Sequence, residues 1–324
     1  MRFAVWLISA ILVEINHLGG ALAKNARMKH PLSGMNRGDQ TQRLGRPFAS
    51  ISWRYIAIYY SIACGVSWCF WAPMILGQDG LRWLPIAPSP PVLLSLGTLG
   101  PLLGCFVSHR LQSGNWRAVR LLPQPGLRLL WLLFGPMLIM FCFLFVCPAL
   151  SAKGAPNSWH WHFSVFPELW GVMLSYSLPG GPLCEEFGWR GFLQARLQES
   201  LPPWIAAIVV AILWAAWHWP LFFFSGWSTA TPAVFLFILT GLSVVMAFAF
   251  NASGKSVVVA ILMHSAFNTS AMFGGRFTAG TPMHEHPSPE VFVGLAFWLV
   301  GMVLVLVTRG RLSAPKQKSG DPGF

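Results

Sequence analysis

Ser177-Leu178-Pro179-Gly180-Gly181-Pro182-Leu183-Cys184-Glu185-Glu186-Phe187-Gly188-Trp189-Arg190 interrupts an otherwise apolar run from about residue 166 to 198. Pro179 and Pro182 remove backbone donors and two glycines add freedom, so a helix entering near Phe166 is expected to break or kink here. Pro182 suits the first turn of a new helix, which sets Glu185 and Glu186 near a positive helix end. Glu186 and Arg190 are four apart, share a face and can pair. Glu185 points about 100° away around the helix, towards some other partner. Backbone broken in this way is tolerated at membrane depth only where it is buried in protein or lines a water-filled cavity.

The rest of the chain makes membrane depth the expected setting. Of 324 residues 55% are hydrophobic and only 10% charged, against roughly 25% charged in an ordinary soluble domain. That is too little charge to cover a water-facing surface of this size. Asp39, Asp79, Glu168, Glu199, Glu285, Glu290 and Asp321 fall in or beside polar stretches, and Glu14 lies in an N-terminal segment of uncertain fate. Glu185 and Glu186 are the acids left among long apolar runs, and acids so placed point to function. The net charge of +12 does not argue for nucleic acid, because Lys and Arg punctuate apolar runs instead of gathering on one polar face. Cys64, Cys69, Cys105, Cys142, Cys147 and Cys184 lie in or at the edge of apolar stretches, with no disulfide-framework or zinc spacing. They read as small buried hydrophobes.

A helix needs about twenty apolar residues to cross the hydrocarbon core. Candidate spans are roughly 55–77, 92–109, 129–150, 166–198 with its interruption, 204–225, 233–251, 256–273 and 291–308. The expected fold is therefore all-α and polytopic, with about eight transmembrane helices over 55–308, a basic linker before them and a basic cytoplasmic tail at 309–324. If the linker is inside, alternation puts eighteen Lys and Arg inside and only Arg82, Lys153 and Arg276 outside, as cytoplasmic charge requires. Residues 3–13 are apolar and resemble a signal-peptide core, with Ala21-Leu22-Ala23 as a cleavage-site candidate. Cleavage would send a strongly basic terminus outside. The charge rule therefore favours an extra N-terminal hydrophobic anchor or a dispensable extension, and the first segment is taken as 1–54.

Counting 1.5 Å per residue along each span, Glu185, His218, His264 and Asn268 all fall in the middle or inner half of a core about 30 Å thick. His264 and Asn268 are four apart and share a helix face. Two acids, two histidines, an amide and an arginine can therefore converge inside the bilayer.

These residues carry a resemblance. Glu185-Glu186-Phe187-Gly188-Trp189-Arg190 resembles the EExxxR motif of the CAAX prenyl protease type II and bacteriocin-processing (CPBP, or Abi) family of intramembrane endopeptidases. His218 closes a segment similar to the family's FxxxH, with Trp214 in place of Phe, and His264 with Asn268 matches HxxxN. The resemblance covers about 169–273, and three short motifs in order, each on an expected span, are fairly specific. It implies that Glu185 and His218 activate a water for attack on a peptide carbonyl, while His264 and Asn268 hold the oxyanion and Arg190 holds Glu186. The chemistry is sound in itself, because a carboxylate taken out of water binds a proton more readily and so can serve as a base near neutral pH. Preoriented donors in a water-poor cavity stabilise a tetrahedral intermediate.

Two histidines and a glutamate can ligate zinc, but no His-Glu-x-x-His is present. The cofactor is left open, with a divalent metal such as zinc uncommitted. Trp214, Trp217, Trp219 and Phe222 to Phe224 read as packing and interfacial aromatics. Trp159-His160-Trp161-His162 and His284-Glu285-His286 read as solvated or interfacial loops, and Gly100 with Gly104 as a close helix contact. The expected partners are a peptide or membrane-anchored protein substrate and the lipid bilayer, with no nucleic acid, in the cytoplasmic membrane of a bacterium. Competing readings are a proton-coupled transporter, which would show a second broken helix in an inverted repeat, and a catalytically silent scaffold or immunity protein. Glu186 with Arg190 also admits a purely structural role as an intramembrane ion pair.

Overall fold

Proline opens several of the helices at a position where no N–H is missed, as at Pro90, Pro203 and Pro232. The computed structural model describes residues 53–112, 120–147, 150, 171–173, 181–225, 230–277 and 289–313. In chain order the helices are α1 (Trp53–Leu76), α2 (Pro90–Gly97), α3 (Leu99–Gln112), α4 (Trp131–Phe141), α5 (Gly181–Glu186), α6 (Pro203–His218), α7 (Pro232–Ala252), α8 (Val257–Phe277) and α9 (Pro289–Val307). No strand occurs among the described residues. These helices belong to one unit, Ser52–Gln198 with Pro202–Phe324.

Every expected span coincides with helix in its described part, but not every one has full length. Five helical stretches are long and apolar enough to cross a membrane: Trp53–Leu76, Pro90–Gln112, Pro203–Phe223, Pro232–Ala252 and Glu290–Val307. Leu127–Phe141 and Val257–Ala271 are shorter apolar helices. The former changes to π-helix at Cys142–Val146. In the span expected to be interrupted, the described helical residues are 171–173 and those from Gly181 onward. Apolar side chains on α4 (Phe134, Met137, Phe141) and α9 (Leu299, Met302, Val303, Leu306) face outward, as hydrocarbon permits. The protein is an all-α polytopic membrane protein.

The N-terminal anchor, the linker up to residue 52, Pro179, Gly180, the Trp159-His160-Trp161-His162 and His284-Glu285-His286 clusters and residues 314–324 lie outside the described residues.

The expected close contact at Gly100 and Gly104 is present. A Cβ on Gly100 would strike Ser67 Oγ and the Ala63 carbonyl, and one on Gly104 would meet the Tyr59 carbonyl at 2.7 Å. Helix α3 therefore lies backbone to backbone on α1. Ser67 Oγ donates to the Gly97 carbonyl (2.6 Å) and accepts from Trp217 Nε1 (2.8 Å). Tyr60 Oη and Trp68 Nε1 donate to the carbonyls of Leu213 and Trp217, each at 3.0 Å, which ties α1 to α6. One correction concerns the cysteines: Cys64, Cys105, Cys142 and Cys184 are buried, but Cys69 is exposed and Cys147 only partly covered. A thiol on the outward face of α1 is compatible with lipid, so an apolar sequence context did not require burial.

Candidate active site

Helix α5 starts with the Gly181 amide donating to Thr98 Oγ1 (2.8 Å), so the break in the chain is anchored on the turn between α2 and α3. Pro182 falls in the first turn of this helix, as expected. After one and a half turns the backbone widens into a π-helix, Phe187–Gln194, before a last α turn at Ala195–Leu197. A π-bulge adds a residue to a turn and re-aims the side chains beyond it, and such bulges gather at functional sites. Gly188 permits the next contact, because a Cβ there would lie 2.5 Å from Tyr59 Oη and 2.7 Å from the Pro101 carbonyl. Trp189, Arg190, Phe192 and Gln194 of this segment are all fully buried.

Glu186 and Arg190 pair as their spacing required. Arg190 Nη1 donates to both carboxylate oxygens of Glu186, at 2.8 and 3.0 Å, with both side chains fully buried. Its Nη2 donates to Ser243 Oγ of α7 at 3.4 Å. His264 of α8 donates from Nδ1 to Glu186 Oε1 at 2.8 Å. Glu186 therefore joins its own helix to α8, and through Arg190 to α7. A paired and multiply hydrogen-bonded carboxylate can remain ionised in the interior.

Glu185 has a different partner. Trp214 Nε1 donates to its Oε2 at 2.9 Å. The Trp214 carbonyl accepts from Nδ1 of His218, also at 2.9 Å. Since a carbonyl only accepts, Nδ1 of His218 carries the proton, and the neutral ring keeps its basic lone pair on Nε2. The Trp214 ring lies under the Arg190 guanidinium, 4.6 Å from its centroid, and meets the His264 ring edge to face at 4.9 Å. His218 is packed against Trp217 (4.6 Å) and Phe235 (5.2 Å).

Five of the six residues singled out in the sequence are thus brought into one buried cluster. The sixth, Asn268, stands a turn beyond His264 on the same helix and is half-buried. His264 is bonded to Glu186, a contact that the sequence did not indicate. Of the aromatics read as packing or interfacial, Trp214 and Trp217 are fully buried and hydrogen-bonded, while Trp219 is 55% exposed. Sequence reasoning also passed over Ser243, a small polar residue in the middle of an apolar helix. The signal for Trp214 was present in its place four residues before His218.

Residues 166–270, which carry all three motifs, match the model of the family described as Type II CAAX prenyl endopeptidase Rce1-like. Over these residues the chain is similar to that family. The family expected from the motifs and the family that matches are thus the same. A comparison with curated proteins finds no match.

Among the described residues no three His, Cys, Asp or Glu side chains are grouped to hold a metal ion. Each histidine directs Nδ1 to an acceptor within the site, and such a bond orients an imidazole equally well towards a water or a metal ion.

Proposed function

We propose that the protein is an intramembrane endopeptidase of CAAX type, which hydrolyses a peptide bond of a substrate presented from the bilayer. The observation that carries this reading is the pair of buried carboxylates, Glu186 bonded to His264 and Glu185 bonded to Trp214, whose carbonyl in turn holds His218, inside a segment similar to the Rce1-like family. Glu185 takes the proton of a water as it attacks the scissile carbonyl, in the manner of a general base, while Nε2 of His218 accepts a hydrogen bond from the same water. The proton is then passed to the leaving amine. His264, oriented by Glu186, presents Nε2 to the developing oxyanion and, when protonated, donates there. Arg190 balances Glu186 and keeps it from competing for the water. Asn268 is assigned to the substrate side of His264, where its amide can donate to the same oxyanion or to the substrate backbone. The substrate class is a membrane-anchored or lipidated peptide, and the protein is assigned to a bacterial cytoplasmic membrane on the family resemblance and its short loops.

The test is cleavage of a panel of prenylated, leader-type and membrane-anchored peptides by the purified protein in detergent. Glu185→Gln, His218→Ala and His264→Ala are each expected to lower kcat/KM by about a hundredfold or more, the range for loss of a general base or an oxyanion donor. A wild-type protein that cleaves nothing across the panel, while Glu185→Gln abolishes proton-coupled uptake in vesicles, would replace this reading with a transporter.

A further inference from the structure

One residue of α6 meets Glu185, Arg190, His218 and His264, four of the five charged or basic groups of the site. Trp214 donates its indole N–H to Glu185, stacks its face on Arg190 and receives the edge of His264, and its own carbonyl holds His218. It is 1% exposed and Glu185 is 5% exposed, so this N–H to carboxylate bond is a charge-assisted one shielded from water. We infer that Trp214 is a positioning residue of the site, acting through its indole N–H. By occupying Oε2 of Glu185 it fixes the carboxylate in one orientation and turns Oε1 towards the reacting water. It also separates Glu185 from the Glu186–Arg190 pair, so that the two adjacent acids keep different tasks.

This inference rests on the endopeptidase reading and deepens it. Phenylalanine, the residue that stands at this place in the motif, offers an aromatic face to Arg190 and His264 but no donor. The ring and the donor can therefore be tested separately.

The experiment replaces Trp214 with benzothienylalanine, which has the shape of tryptophan with sulfur in place of the N–H, alongside Trp214→Phe. Both forms are expected to unfold at the wild-type temperature within a few degrees, to keep KM within about twofold and to lose kcat by about ten- to a hundredfold, the range for one hydrogen bond to a charged group. Tryptophan installed by the same suppression route is expected to restore kcat. A second readout does not depend on activity. The indole 1H–15N resonance of Trp214, assigned by its absence from Trp214→Phe, is expected to move in Glu185→Gln. A benzothienylalanine form with wild-type kcat, or an indole resonance unmoved by Glu185→Gln, overturns the inference. A wild-type protein that cleaves no peptide while that resonance does move refutes the peptidase and leaves the Trp214–Glu185 coupling standing.

Discussion

Arg190 is the residue on which the buried charge depends. It binds both oxygens of Glu186 and lies over Trp214 with no exposed surface of its own. Removing one partner of a buried pair leaves the other uncompensated and costs about 3–5 kcal/mol, whereas removing both is often nearly neutral. Arg190→Met is thus expected to lower the unfolding temperature markedly, and the double variant Glu186→Gln/Arg190→Met to recover most of that loss. Activity is expected to recover in neither, since His264 loses its carboxylate anchor. Thermal unfolding in detergent and peptide cleavage, measured on the same preparations, check the two halves. Recovery of both would make the pair purely structural. Arg190→Lys should fall between, because an ammonium cannot reproduce the two-oxygen grip or the planar stack on the indole.

At the scale of the element, the widened helix Phe187–Gln194 carries the motif and depends on one small residue. Tyr59 Oη and the Pro101 carbonyl press on the Cα of Gly188 from α1 and α3. Tyr59 is fully buried between Trp189 and Phe192, with ring centroids at 5.8 and 5.1 Å, so it has little room to yield. Gly188→Ala is expected to cost about 1–3 kcal/mol, as overpacking of a tight core does, and to reduce cleavage by shifting Glu186 and Arg190 together. Tyr59→Phe in the same chain should return part of both, since it removes the oxygen that the new methyl meets. If Gly188→Ala unfolds and cleaves as wild type, the close packing of this helix on α1 is not what holds the site. The widening after Glu186 was not legible in the sequence, because no residue type signals a π-turn; the widened segment lies against α1, α3 and α6.

For the whole molecule, the alternation of helices assigns Arg82 and Lys255 to opposite sides of the bilayer, with Lys255 inside. In a Cys69→Ser background, Arg82→Cys is expected to react with an impermeant maleimide added outside intact cells. Lys255→Cys should react only after the membrane is opened, and labelling of both from one side would break the assignment. The all-helical fold and the polar residues that the structure draws into one buried cluster were present in the chain itself. A low-charge apolar sequence must hide its backbone in helices, and an acid can be retained in such runs only with a partner. The spacing of Glu186 and Arg190 named one such pair, because residues four apart meet on any helix. That Glu186 bonds His264 and Glu185 bonds Trp214, only the tertiary structure decided. Glu185 with Trp214 and Glu186 with His264 are 29 and 78 residues apart, and contacts across that separation depend on the rotation and depth of each helix against its neighbours, which no local pattern encodes.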